Sequence, residues 1–307
     1  MKNTLLIFTI LFAFISCQTT KNNNWNSYDE SVEISDNKKH TIDRMQFKLI
    51  QSKHNDKNAW FKPFEQELKS FTEKDYINLK ELIIEKDIPT IQKFIISGKL
   101  TYEELTLFYL YRIKKIEFNK DQYLNSIISL NPEILNQARE KDNKKPKSIY
   151  SLYGIPILLK DNINYKGIPT TAGSVALIEN NADDAYVVKK LKADGAIILG
   201  KTNLSEWAYY FCNDCPLGYS AIGGQTLNPY GRKKFESGGS SSGSGVAISS
   251  NFSSVALGSE TSGSILSPAS LNSIVGLKPT IGLVSRTGIV PISSTLDTSG
   301  PMTKNVI

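Results

Sequence analysis

The sequence predicts an α/β fold, a β-sheet covered by helices on both faces. Two observations predict it. Three short runs, "GIPILLK" (Gly154–Lys160), "AIILG" (Ala196–Gly200) and "SVALG" (Ser254–Gly258), are apolar almost throughout rather than alternating, as strands buried on both faces are. Segments with helical apolar spacing stand between and before them, and that alternation is the pattern of an α/β domain.

Taken in chain order, the first segment stands apart. "MKNTLLIFTILFAFISC" carries a basic Lys2, an apolar run from Leu5 to Ile15, and a small Ser16 before Cys17. The run is too short to span a bilayer and has the anatomy of an export signal. With cysteine directly after it, residues 1–17 resemble a bacterial lipoprotein signal, although Phe14 replaces the usual Leu. That resemblance implies cleavage before Cys17, a lipid on its thiol, and attachment to the cell envelope after export, on the periplasmic side or at the outer membrane. Residues 18–80 are polar and Lys-rich with aromatic islands such as "NAWFKPF", and read as a tether and helical lead-in. Residues 81–307 form the predicted folded domain.

Within that domain, "IEKDIPTIQKFIISGKLTYEELTLFYLYRIKKIE" from Ile84 reads as two amphipathic helices broken at Gly98, the second opened by a capping box of Thr101 and Glu104. "LNSIISL" is a strand. "PEILNQAREKDNKK" is a helix with Pro132 in its first turn. "DAYVVKKLKADG" is a helix closed by Gly195, and a short helix runs from after Ser240 to about Ser250.

Composition narrows the function. The net charge of +6 is spread over scattered lysines, with no tight basic cluster interleaved with aromatics, so no nucleic-acid partner is expected. Of three cysteines, Cys212 and Cys215 form a C-x-x-C pair. Such a pair can be redox-active, metal-binding or a simple disulfide. Zinc needs four ligands and no second pair or nearby histidine exists. Pro216 and Gly218 place the pair in a loop, which favours a local disulfide or two free thiols.

Two stretches carry chemistry: "GGSSSGSGVAISS" (Gly238–Ser250) and "GSETSGSILSPAS" (Gly258–Ser270). Serine nucleophiles usually rely on histidine, but the only histidines, His40 and His54, lie far upstream, so no Ser-His-Asp triad can be built in the domain. A carboxylate or a lysine of depressed pKa remains as base. Lys160 ends an apolar strand, where desolvation favours the neutral amine. Ser240 opens a helix and Ser264 follows the "SVALG" strand. All three fall near carboxyl ends of strands or the loops after them, where α/β sheets place their ligands.

"GIPILLKDNI", the Gly238–Ser270 region and "IVGLKPTIGLVSRTGIVPISSTLDTSGPMTKNV", in this order, resemble the amidase signature family, closest to its bacterial peptide-amidase-like members. The resemblance runs from about Ile84 to the last residue. It implies a mixed central sheet and a Ser–cis-Ser–Lys triad, in which Ser264 is the acyl-forming nucleophile, Ser240 the bridging serine after a cis Gly239–Ser240 bond, and Lys160 the base. Ser241 is expected to hydrogen-bond the lysine or the bridge. The backbone N–H groups of Thr261, Ser262, Gly263 and Ser264 are expected to form the oxyanion hole. The substrate implied is a small-molecule or peptide amide, with no cofactor and no metal. Leu266 stands where much of the family has Arg, Glu260 where many members have Asp, and Ser262 where many have Gly. The family continues beyond "GPMTKNVI", so the resemblance implies a C-terminally truncated domain. Two alternatives accompany this reading: an inactive, truncated amidase-like lipoprotein, and a glutamyl-tRNA amidotransferase A-type subunit.

Overall fold

The computed structural model describes residues 24–212 and 214–307; the signal segment 1–17 and Cys17 lie outside them. Helices lead the chain: α1 (Ser31–Asn37), α2 (Glu65–Ser70), α3 (Glu73–Ile83), α4 (Ile88–Ile96) and α5 (Tyr102–Glu117). Their starts follow local chemistry. Thr72 with Asp75, and Thr101 with Glu104, close capping boxes on α3 and α5, and Asp87 caps α4 with Pro89 in its first turn.

The sheet then forms from β1 (Ile127–Leu130), β2 (Pro156–Lys160) and β3 (Ile197–Thr202), with α6 (Ile134–Asp142) and α7 (Tyr186–Ala193) between them. Pro132 lies ahead of α6, before its N-cap Glu133, rather than in the first turn. Gly195 ends α7 at φ +90°, a backbone that side chains rarely adopt, and lets the chain reverse into β3. A small hairpin of β4 (Tyr219–Ser220) and β5 (Gly224–Gln225) precedes α8 (Ser242–Ser249). The chain continues through β6 (Val255–Glu260), α9 (Leu266–Leu271), β7 (Val275–Gly276) and β8 (Thr298–Thr303).

Six strands form one mixed sheet in the order β1-β3-β2-β6-β8-β7. β2 lies parallel to both β3 and β6, while β1 and β8 run antiparallel to their neighbours. β2, β3 and β6 are buried along their whole length, as their apolar runs require. Because β2 and β6 are parallel neighbours, with Leu159 opposite Leu257, their carboxyl ends reach the same edge.

The expected division at residue 80 is not a structural one. Met45, Phe47, Ile50, Trp60, Phe61 and Phe64 belong to the same hydrophobic core as β2 and α5. Only Asp43–Met45 and Ala59–Phe64 adopt short 3₁₀ turns between α1 and α2, so these apolar residues have no helical period and read as scattered islands. Lys57 fastens this segment. Its ammonium is 3.0 Å from the buried Glu117 carboxylate and lies over the rings of Trp25 and Tyr123 at 4.4 and 4.9 Å. Among the described residues no helix is long and apolar enough to cross a membrane.

Candidate active site

Lys160 is the last residue of β2 and is fully buried. Its Nζ donates to Ser240 Oγ at 2.7 Å, Ser259 Oγ at 2.9 Å and the Ser259 carbonyl at 3.1 Å. Burial pushes the amine down to about 7, against an upward pull from the Asp297 and Glu260 carboxylates. A lysine in this state holds a large neutral fraction near pH 7 and can accept a proton from a hydroxyl.

Ser240 lies just ahead of α8, and the Gly239–Ser240 peptide bond is cis, as the family resemblance implies. Its carbonyl accepts from the Ser205 N–H at 3.0 Å, and the adjoining Ser241 N–H donates to the Ser264 carbonyl at 3.1 Å. The two serine-rich stretches are thereby joined by a backbone bond. Ser240 and Ser264 line the same cavities, although no hydrogen bond joins their hydroxyls among the described residues. Ser241 departs from expectation: its hydroxyl reaches neither Lys160 nor Ser240. It donates to the Ser259 carbonyl at 3.1 Å and accepts from the Ser259 N–H at 3.3 Å. Close packing of α8 on β6 sets this. A Cβ added at Gly258 would come within 2.9 Å of Ser241 Oγ.

Ser259 is the residue that sequence reasoning missed. It holds Lys160 through two oxygens and receives Asn162 Nδ2 at 2.8 Å. One serine in a serine-rich stretch carries no distinguishing signal. Its position directly after the buried "VALG" run, on the strand next to Lys160, is the one clue the sequence offers.

The loop that carries Ser264 is built around Glu260. Its buried carboxylate accepts from the N–H groups of Gly263 at 2.8 Å, Ile265 at 2.7 Å and Leu266 at 2.9 Å. Burial raises the Glu260 pKa, but the bonds from Leu266, Ile265 and Gly263 outweigh it and hold the group below the usual carboxylate range. The Gly263 N–H is therefore occupied and leaves the expected oxyanion set. The N–H groups of Thr261, Ser262 and Ser264 have no protein acceptor among the described residues. Lys278 reaches the Thr261 carbonyl at 2.9 Å, and the Thr261 hydroxyl bonds the Asp297 carboxylate, which also accepts from the N–H groups of Ile292 and Ser293.

Lys201 and Asp161 form a second buried pair. Lys201 on β3 donates to Asp161 at 2.9 Å and to Thr170 Oγ1 at 2.9 Å. Cys212 and Cys215 are joined as a disulfide in the loop before β4. No group of three or more His, Cys, Asp and Glu side chains suited to a metal ion occurs among the described residues.

Comparison with known proteins places the chain in a family. The family model "Amidase" matches residues 104–307. The chain belongs to the amidase family. Among curated members, a probable amidase of Arabidopsis thaliana is 46% identical over 230 residues, 73% of this chain and 44% of that protein. The A-type subunit of the glutamyl-tRNA(Gln) amidotransferase of Thermoanaerobacter pseudethanolicus is 42% identical, over 71% of this chain and 43% of that protein. Among solved amidase structures, an amidase family protein of Bacillus anthracis superposes with a TM-score of 0.79 at 43% identity, covering 85% of this chain and 52% of its own. Native peptide amidase of Stenotrophomonas maltophilia gives 0.69 at 49% identity, covering 73% and 46%. The chain thus spans about half the length of the amidases it matches.

Proposed function

We propose that the protein hydrolyses a carboxamide C–N bond through an acyl-serine intermediate. The observation that carries this reading is the 2.7 Å bond from buried Lys160 to Ser240, beside a cavity that Ser264 shares. In the proposed sequence Ser264 Oγ attacks the carbonyl carbon. Its proton passes to Ser240 Oγ as the Ser240 proton passes to neutral Lys160. The Ser264–Ser240 contact is expected to close once substrate is bound, as catalytic hydrogen bonds commonly do. The Thr261 and Ser262 N–H groups face the developing oxyanion. The C–N bond then breaks, and the departing nitrogen takes a proton back along the same relay. Water attacks the ester, the relay removes and returns its proton, and the net change is amide plus water to carboxylic acid plus amine.

A fluorophosphonate probe tests the reading directly. Labelling at Ser264, together with equimolar acid and amine from a model carboxamide, supports it. A folded protein that stays unlabelled would favour the catalytically inactive alternative. Ammonia transfer to mischarged tRNA in a reconstituted complex, without free hydrolysis, would favour the amidotransferase alternative.

We also propose that the chain is exported and held at the bacterial envelope by lipid on Cys17, on the support of the signal anatomy. Metabolic labelling with a palmitate analogue that survives Cys17→Ser would refute it.

A further inference from the structure

A second concave region lies at the sheet edge away from Ser240 and Ser264. Gly154 stands just before β2 and Gly195 just before β3, and the Gly154 N–H donates to the Gly195 carbonyl at 3.0 Å. This junction marks the amino ends of two parallel strands, whereas Lys160 marks the carboxyl end of β2. Beside it opens a cavity of about 740 Å³, larger than either cavity that Ser240 and Ser264 line. It falls in the size range of small-ligand pockets.

Lys141, Lys144, Lys145, Lys147 and Lys192 line this cavity, with one carboxylate, Asp194, among them. Three of these lysines are accounted for by the fold. Lys141 lies in the last turn of α6 and Lys192 in that of α7, where a cation offsets the carbonyl end of a helix. Lys141 also lies over the Tyr153 ring at 4.8 Å, and Lys192 is held by Asp184 at 2.7 Å. Lys145 donates to the Ile95 carbonyl at 2.8 Å. Lys144 and Lys147 have no such role. Both are exposed, both follow the end of α6, and neither ammonium has a partner among the described residues. Charges of one sign lining a concavity concentrate their field there and draw in anions. The walls that carry them are anchored. Buried Gln92 donates to the Ser151 and Tyr153 carbonyls at 2.7 and 2.9 Å, and Pro146 is buried between Lys145 and Lys147. The Tyr153 ring lies against Gly195, where an added Cβ would come within 2.4 Å of it.

The donor type narrows the ligand. Among the described residues no arginine lines the cavity. Arginine presents a planar fork that suits a carboxylate, whereas lysine is a compact point charge that serves phosphate oxygens from any direction. A nucleic-acid strand needs a basic groove that follows its backbone, and this is one concavity with Asp194 in its lining. We infer that the cavity binds a pair of anionic phosphate groups, with Lys144 and Lys147 as their principal contacts. A free phosphate compound and an anionic phospholipid surface share that chemistry, and the test separates them. The inference stands apart from the hydrolase reading, because the cavity lies at the opposite edge of the sheet.

The test is acetylation footprinting of the full chain, in which mass spectrometry reads the reactivity of each lysine. It is run at fixed ionic strength with inorganic pyrophosphate, with citrate, with vesicles containing phosphatidylglycerol, and with vesicles of phosphatidylcholine only. Lys144 and Lys147 are expected to lose reactivity with a phosphate ligand, while Lys74, exposed on α3, keeps its own. Protection by pyrophosphate supports the site and identifies a free phosphate compound; protection by the phosphatidylglycerol vesicles alone supports it and identifies the headgroup. In the arm that binds, Lys144→Gln combined with Lys147→Gln should weaken binding about tenfold or more, since each ammonium–phosphate contact in water is worth a factor of about five. Both side chains are exposed and unpartnered, so the urea midpoint of this variant should match that of the native protein. Four results would overturn the inference: no protection in either phosphate arm, equal protection at Lys74, protection by citrate or phosphatidylcholine as strong as by the phosphate ligand, or binding that the double substitution leaves unchanged.

Discussion

Lys160 donates to Ser240 at 2.7 Å across 80 residues of sequence, inside a core that excludes water from the amine. The lysine lies at the end of a central strand and the serine just ahead of a helix, so two unrelated local structures meet at one bond.

That bond sets the expected pH dependence. With the Lys160 amine brought down to about 7, the rate of Ser264 acylation should climb roughly tenfold per pH unit below 7 and level off above about 8. Stability follows the same sign. The unfolded chain binds the Lys160 proton up to its ordinary 10.5, so this group's contribution to folding rises with pH between about 7 and 10.5. Lys160→Met should abolish fluorophosphonate labelling and flatten that part of the denaturation curve. A labelled Lys160→Met protein would remove the lysine from the mechanism.

The serines should separate by severity. Ser264→Ala is expected to eliminate covalent labelling. Ser240→Ala should slow it by about 10²–10⁴-fold, the usual weight of proton transfer, and Ser259→Ala by about tenfold, since the Ser259 carbonyl still holds the amine. Labelling rates measured side by side check the order, and equal rates for Ser240→Ala and native protein would break the relay.

Glu260→Gln replaces an acceptor of three N–H groups by an amide that accepts with one oxygen only. A loss of about 2 kcal/mol in urea unfolding is expected, with slower labelling at Ser264. Freed from the carboxylate, the Gly263 N–H would no longer be fixed, so the rate loss should exceed any loss in probe affinity.

Glu117 receives Lys57 at 3.0 Å and the backbone N–H groups of Asn125 and Ser126 at 3.1 Å each, all buried. Glu117→Ala would strand the Lys57 charge and is expected to cost about 3–5 kcal/mol. Lys57→Met should cost clearly less. Chemical denaturation of both variants provides the comparison.

Much of this is legible in the sequence because it follows from short-range chemistry. "PILLK" and "VALG" announce buried strands, Thr101 with Glu104 announces a helix start, and Lys160, Ser240 and Ser264 each read as lying at a strand end, a loop or a helix start, where α/β sheets place their ligands. What escapes depends on tertiary packing. Ser241 adjoins Ser240 in sequence, but α8 packs so closely on β6 that its hydroxyl is spent on Ser259 rather than on Lys160. Gly263 reads as a free donor, because nothing local shows that the Glu260 carboxylate folds over its own loop to hold a group three residues on. The Met45–Phe64 stretch reads as a lead-in because irregular backbone has no period to detect, yet its rings complete the core.

The pairing of Leu159 with Leu257 has a wider consequence. Side chains of a strand alternate between faces, so sliding β2 by one position would send Lys160 to the opposite surface of the sheet. Reaction at Ser264 that depends on Lys160 would thus double as a sensor of strand alignment: any sample that reacts has laid these two strands side by side correctly, whatever its gross spectroscopic appearance.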